Sequence, residues 1–156
     1  MSPHRNPPVL GPVVADLYRR AQAVRRHAYA PYSGFRVGAA LRAADGRIFT
    51  GVNVENASFP VTICAERGAL MAAIASGAES FDELVVVTDA ETPAAPCGLC
   101  RQMLAEFGLD LVVTLCGRSG PAERVRLGEL LPYAFTRASF EPRPDHALAA
   151  GHEPTV

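Results

Sequence analysis

The sequence predicts an α/β fold, a three-layer α/β/α sandwich around a mixed five-stranded sheet. Three observations predict it. An amphipathic helix precedes two strand-like segments joined by a tight turn. Further on, two short and nearly all-apolar runs have the character of strands covered on both faces. Helix-length segments alternate with those runs, the pattern that layers helices over a sheet.

The first helix is expected over residues 13–28, where Val14, Leu17, Ala21, Val24 and Ala28 recur at helical spacing and Arg19, Arg20, Arg25 and Arg26 take polar positions. The segment Tyr29-Ala-Pro-Tyr-Ser-Gly34 ends it with turn residues. Residues 35–41 and 48–54 read as a hairpin around a two-residue Asp45-Gly46 turn. A loop containing Pro60 leads to a second helix over 62–76, a strand over 84–88, and a third helix over 98–107. A strand over 111–116 follows, then a short last one over 125–127 and a helical turn over 129–135 stopped by Pro132. Residues 1–135 are thus expected to form a single catalytic domain, and 136–156, rich in Pro, Ala and charge, a mobile tail.

With 156 residues the chain can build one compact core. A formal net charge of -1 gives no global pull toward nucleic acid or an acidic membrane. No apolar run is long enough to span a bilayer, and the start lacks the basic-then-apolar order of a secretory leader, so a cytoplasmic protein is expected. Four cysteines are too few for a disulfide scaffold, and a Cys-x-x-Cys pair in that setting points to metal or redox chemistry.

The chemistry concentrates in Thr62-Ile-Cys64-Ala-Glu66-Arg67 and Pro96-Cys97-Gly-Leu-Cys100-Arg101-Gln102. Each opens an expected helix, where the helix dipole and free N–H groups favour thiolates. Two such termini facing each other would set Cys64, Cys97 and Cys100 around one zinc ion, with the fourth tetrahedral position left for water, as in a catalytic site. Three thiolates weaken the Lewis acid, and Arg67, one helical turn after Cys64, is placed to offset them by hydrogen bonds to the ligand sulfurs. Glu66, two residues from a ligand, is better suited to carry protons beside the metal than to bind it. Deamination of a ring amidine carbon needs that arrangement.

Alone, Cys-x-x-Cys also occurs in structural zinc knuckles and redox sites; the joint Cys-x-Glu and Pro-Cys-x-x-Cys pattern is far more specific. Cys116 ends an apolar run and reads as a small buried hydrophobe, although a fourth ligand there would make a closed structural site. His4, His27, His146 and His152 lie away from any ligand spacing and read as solvated surface residues.

On these segments, together with Ala28-Tyr-Ala-Pro-Tyr-Ser33, Phe35-Arg-Val-Gly-Ala-Ala-Leu41, Gly51-Val-Asn-Val-Glu-Asn-Ala57 and Leu130-Leu-Pro-Tyr-Ala-Phe135, the chain resembles the small cytidine deaminases, the all-cysteine, homotetrameric branch. The resemblance covers most of residues 13–135. It implies a cytidine deaminase-like fold, one zinc ion per subunit on Cys64, Cys97 and Cys100, and Glu66 as proton shuttle. It further implies Asn53 and Glu55 as ribose-hydroxyl partners, Phe35 against base and sugar, and Ala65 backbone groups on the pyrimidine edge. Phe135 and Phe59 would close pockets across subunit boundaries.

The implied activity is hydrolysis of cytidine and deoxycytidine to uridine and deoxyuridine, a pyrimidine-salvage step. The two-residue turn sets Arg36 opposite Glu55, so a cross-strand ion pair competes with the ribose role, and it sends Phe35 to the other face unless the strand bends there. Rival functions are deamination of another aminopyrimidine nucleoside such as blasticidin S, base editing in nucleic acid, and a structural zinc module. Asn53-Val-Glu55-Asn56 disfavours the first, and the neutral charge balance the second.

Overall fold

A computed structural model of the chain describes residues 10–140. Helix α1 (Pro12–Arg25) begins on a proline, whose missing N–H costs nothing at that position, and buries Val14, Leu17 and Ala21. It ends earlier than the apolar spacing suggests, because His27 and Ala28 donate to Val24 and Arg25 and tighten the last turn.

Five strands follow: β1 (Gly38–Ala43), β2 (Ile48–Val52), β3 (Phe81–Val87), β4 (Val112–Gly117) and β5 (Gly120–Arg126), in the order β2-β1-β3-β4-β5. Only β3 and β4 run parallel, joined by the crossover that contains helix α3 (Gly98–Ala105). Helix α2 (Ala65–Ala75) connects the hairpin to β3, and a short helix α4 (Leu127–Leu130) follows β5.

The sheet is covered on both faces, so the expected three-layer arrangement and mixed sheet are present. Ala40, Val85, Val87 and Cys116 pack against Val14, Leu17 and Ala21 of α1. The opposite face sends Ala39, Leu41, Leu84, Val86, Val113 and Leu115 against α2 and α3. Alternation along β1 and β3 thus feeds two cores from one sheet. No helix among the described residues is long and apolar enough to cross a membrane.

Several boundaries differ from expectation. The β1–β2 connection has three residues, not two: the Ala43 N–H bonds the Arg47 carbonyl at 2.9 Å, with Gly46 at a φ of 90°. That three-residue loop with glycine in the left-handed region is the next commonest hairpin after the two-residue one. It pairs Gly38 with Val52 and Arg42 with Ile48, a register one residue away from the expected one. The supposed Arg36–Glu55 pair therefore has no basis, since a one-residue slip changes which side chains face each other.

Strand β5 is longer than 125–127; it is an edge strand bearing Pro121 and charged residues, which conceals it from an apolar-pattern reading. Helix α2 starts at Ala65 rather than 62, because Ile63 is held extended by mutual N–H···O bonds with Val54. Helix α4 starts two residues before the expected 129–135 turn and ends at Leu130, with the Glu129 carboxylate accepting the Arg126 N–H at 3.0 Å at its start.

Of the expected 136–156 tail, the part from residue 141 onward lies outside the described residues, as do His4, His146 and His152. Arg137–Ser139 forms a 3-10 turn, and Phe140 packs edge-on against Phe135 at 5.2 Å. His27 is exposed at the end of α1, as expected.

Helix α2 lies unusually close to β2. A Cβ on Gly51 would stand 2.3 Å from both the Ala65 carbonyl oxygen and the Ala69 nitrogen, so only glycine admits the backbone of α2 there. Gly51→Ala is expected to push the Cys64-bearing helix off the sheet, at a cost of about 1–3 kcal/mol. A melting temperature lower by about 3–10 °C, with weaker retention of metal, checks this.

Candidate active site

Cys64 and Cys97 are the N-cap residues of α2 and α3, each in extended backbone and neither using its sulfur to cap the helix. Cys100 lies one turn into α3 and is buried. The Cys64 and Cys97 sulfurs are 3.7 Å apart, those of Cys97 and Cys100 3.5 Å, and all three lie within 4.8 Å of one another. A tetrahedral zinc site with Zn–S bonds of about 2.3 Å has sulfur–sulfur edges of about 3.8 Å. A disulfide needs about 2.05 Å. The cluster therefore has the spacing of a metal site, and the residues present fit zinc.

Electrostatics agree with metal binding. The Cys100 thiol and then the Arg67 guanidinium hold the Cys64 thiol down at about 5, against the opposing effect of burial. The neighbouring Cys64 sulfur, followed by burial and the Glu66 charge, pushes Cys100 strongly up. Three sulfurs at this distance resist collecting three negative charges until a cation joins them. Arg67 donates to the Thr62 carbonyl at 2.7 Å and approaches the Cys64 sulfur at 3.9 Å, while its buried Nε has no partner.

Cys116 is apart from this cluster. It faces α1 across the sheet from the sulfur-bearing helices, and burial pushes its thiol up to about 12. The buried-hydrophobe reading holds.

A cavity of about 200 Å³ opens beside the sulfurs. Phe35, Val37, Asn53, Thr62, Cys64, Glu66, Val86, Thr88, Ala94, Ala95 and Cys97 line it. Glu66, in the first turn of α2, is 5 % exposed. Burial, reinforced by the Cys64 thiolate, pushes its carboxyl above the ordinary carboxylate range. Ala65 is fully buried at the head of the same helix and does not line the cavity.

Phe35 reaches this cavity because the β1–β2 ladder ends at Gly38 and Val52 and an asparagine side chain replaces it. The Asn53 Oδ1 accepts the Val37 N–H at 2.8 Å, and its Nδ2 donates to the Phe35 carbonyl at 2.8 Å. The amide stands in for one more peptide group and bends the chain, so Phe35 and Asn53 share a cavity.

Glu55 lies in a neighbouring open cavity of about 390 Å³ with Tyr32, Ser33, Phe59 and Thr62. Its Oε2 accepts the N–H groups of Tyr32 and Ser33 at 2.8 and 3.2 Å, and its Oε1 accepts the Ser33 hydroxyl. The Ser33 hydroxyl, against slight burial and aided by the Tyr32 N–H, holds the carboxyl below its usual range. Thr62 borders both cavities.

Phe59, expected at a subunit boundary, lines the Glu55 cavity of its own chain and packs edge-on against Tyr32 at 5.9 Å. Phe135 lines neither cavity and is 58 % exposed. Ser33, Thr62 and Thr88 escaped the sequence reading. Thr62, two residues before the clustered Cys64, carried a usable signal; Thr88 carried none.

Residues 14–116 match the family described as the cytidine and deoxycytidylate deaminase zinc-binding region. A cytidine deaminase of Sporosarcina psychrophila is 45% identical over 125 residues, covering 80% of this chain and 92% of that one. A probable cytidine deaminase of Dictyostelium discoideum is 52% identical over 118 residues, covering 75% and 80%. The crystal structure of cytidine deaminase from Burkholderia pseudomallei superposes with a TM-score of 0.75 at 47% identity, covering 78% of this chain and 98% of that one. With three sulfurs at zinc spacing beside a buried glutamate, and with that match spanning both cysteine segments, the chain belongs to the cytidine and deoxycytidylate deaminase family.

Proposed function

We propose that this chain catalyses zinc-dependent hydrolytic deamination of cytidine and deoxycytidine to uridine and deoxyuridine, with release of ammonia. The observation that carries the reading is Glu66, buried in the same apolar-walled cavity as Cys64 and Cys97, two of the three clustered cysteines. Cys64, Cys97 and Cys100 hold the metal, and zinc, when bound, supplies the Lewis acidity that lowers the pKa of water.

Glu66 does the proton work. Its carboxylate accepts a proton from the attacking water and delivers it to ring N3, which makes C4 electrophilic. The water oxygen adds to C4. Glu66 then carries the remaining hydroxyl proton to the amine, the C4–N bond breaks, ammonia leaves and C4 becomes a carbonyl carbon. Burial favours this role, because a carboxyl pushed above its ordinary range holds a proton long enough to pass it on. The apolar walls at Phe35, Val86, Ala94 and Ala95 suit a flat ring and exclude bulk water.

Asn53 and Glu55 are the sugar-binding pair in this reading. Each Asn53 amide atom has one hydrogen bond to backbone, leaving one N–H and one lone pair for a hydroxyl. Glu55 is oriented by Tyr32 and Ser33, and its Oε1 keeps a lone pair in reserve.

Three clustered thiols and a buried fourth suit a reducing compartment, which supports a cytoplasmic enzyme serving pyrimidine salvage. The catalytic domain in this reading is residues 1–135, of which 10–135 are described. The same reading has the chain working as a homotetramer. Leu99, Tyr133, Phe135 and Phe140 leave 67, 97, 58 and 69 % of their surface exposed, a large apolar load for a small domain. Neighbouring subunits covering them would bring Phe135 toward a partner's cavity.

An absorbance assay for loss of cytidine and deoxycytidine, run with zinc quantification and with blasticidin S as a third substrate, tests the activity. A zinc-loaded protein that turns over neither nucleoside refutes the reading. Glu66→Gln is expected to retain one zinc per chain and lose at least about 10²-fold in kcat; wild-type turnover in that variant removes Glu66 from the mechanism. Asn53→Asp cannot donate to the Phe35 carbonyl, and a KM higher by about tenfold with zinc content intact is expected. Sedimentation should show a species of four 16.6 kDa chains, and a monomer alone would exclude the tetramer.

A further inference from the structure

Arg101 immediately follows the metal-cluster residue Cys100 and makes no ion pair with a carboxylate among the described residues. Its half-buried guanidinium is spent on two carbonyls from distant parts of the chain. Nε donates to the Pro96 oxygen at 2.6 Å, and Nη1 donates to the Leu130 oxygen at 2.9 Å. Pro96 is fully buried and directly precedes Cys97, which itself is exposed. Leu130 ends α4, and the segment beyond it is tied to α3 again by Gln102, whose Nε2 donates to the Phe135 oxygen at 2.6 Å.

The device has a counterpart on the other metal helix. Arg67 reaches back five residues to the Thr62 carbonyl, as Arg101 reaches back five to the Pro96 carbonyl. Arg101 grips the peptide that leads directly into its N-cap cysteine, and Arg67 grips the peptide one residue further back. The two differ in what else they hold. Arg67 turns its second contact to a sulfur, whereas Arg101 turns its own to the carboxyl-terminal segment.

We propose that Arg101 is a positioning residue that fixes Cys97 for the metal by bridging the Pro96 and Leu130 carbonyls, so that zinc retention depends on docking of the segment after β5. The proposal rests on Cys97 being a zinc ligand. The Cys97 sulfur caps no backbone N–H of its own helix, so the peptide before it sets the direction of the side chain. A planar guanidinium can hold two carbonyls in a fixed relation; a single ammonium cannot. Groups that orient a ligand from outside the coordination shell typically change metal affinity by about 10–100-fold when removed.

The test compares zinc-loaded wild type, Arg101→Ala, Arg101→Lys and Gln102→Ala. Zinc release to a chelating chromophore is followed at a temperature where all are folded, alongside the melting temperature of the metal-free proteins. Arg101→Ala is expected to release zinc about tenfold faster than wild type. Gln102→Ala frees only the Phe135 end and should release at the wild-type rate. Should Arg101→Ala fail to fold, Arg101→Lys keeps the stem and charge but not the fork, and faster release is expected there too. Wild-type release rates in the arginine variants, or equal acceleration in Gln102→Ala, overturn the proposal, whatever their melting temperatures. A wild-type protein that binds no zinc would instead refute the metal-site reading.

Discussion

Everything at this site depends on holding three sulfur atoms within 3.5–4.8 Å of one another, at the ends of two helices from different parts of the chain. Thiolates so close repel, and the helix N-termini that favour each of them do not remove that repulsion. The fold must therefore supply the force. It does so by burying α2 and α3 against one face of the sheet, where Leu70, Ala73, Leu104 and Ala105 are fully or nearly fully removed from water. The metal cluster is the point at which two well-packed helices happen to begin.

Closeness of packing sets the precision. Gly51 admits the α2 backbone to β2, and Ala65 and Ala69 keep the helix face equally small. On the other side of the sheet, a Cβ on Gly38 would stand 2.1 Å from the Ala21 carbonyl, so α1 approaches just as tightly. The hairpin is thus clamped between two helices at its glycines. The segment that leaves its end carries Phe35 and Asn53 into the cavity from a rigid origin.

Most of the fold was legible because its core follows simple periodicities. The α1 spacing of Val14, Leu17 and Ala21 and the apolar runs of β3 and β4 report burial directly. The metal cluster was legible for a different reason: cysteine, glutamate and proline carry narrow chemistry, and their spacing has few other uses. What escaped was whatever depends on hydrogen bonds to backbone. The turn at Asp45-Gly46 admits either two or three residues, and only the Ala43–Arg47 bond decides. Edge strand β5 has Pro121 and Glu123 where a buried strand would have apolar residues. The bend at Phe35 depends on an asparagine amide bonded both ways, which no residue pattern announces.

That last contact explains why reaction and substrate differ in how firmly residue chemistry alone assigns them. Deamination requires a metal, a proton carrier and a dry cavity, and the thiols and buried carboxyl cost too much to assemble without use. Sugar recognition requires only leftover hydrogen-bonding capacity on groups that already have structural work. Asn53 holds the Phe35 bend, and Glu55 holds the Tyr32–Ser33 turn against the Val54 segment. Both would be needed for the architecture if no sugar were ever bound. Yet a group fixed by backbone on one side presents its remaining lone pair or N–H in a single direction, the condition for reading a hydroxyl at low entropic cost. In the proposed function, structural duty and substrate recognition draw on two sides of the same side chain.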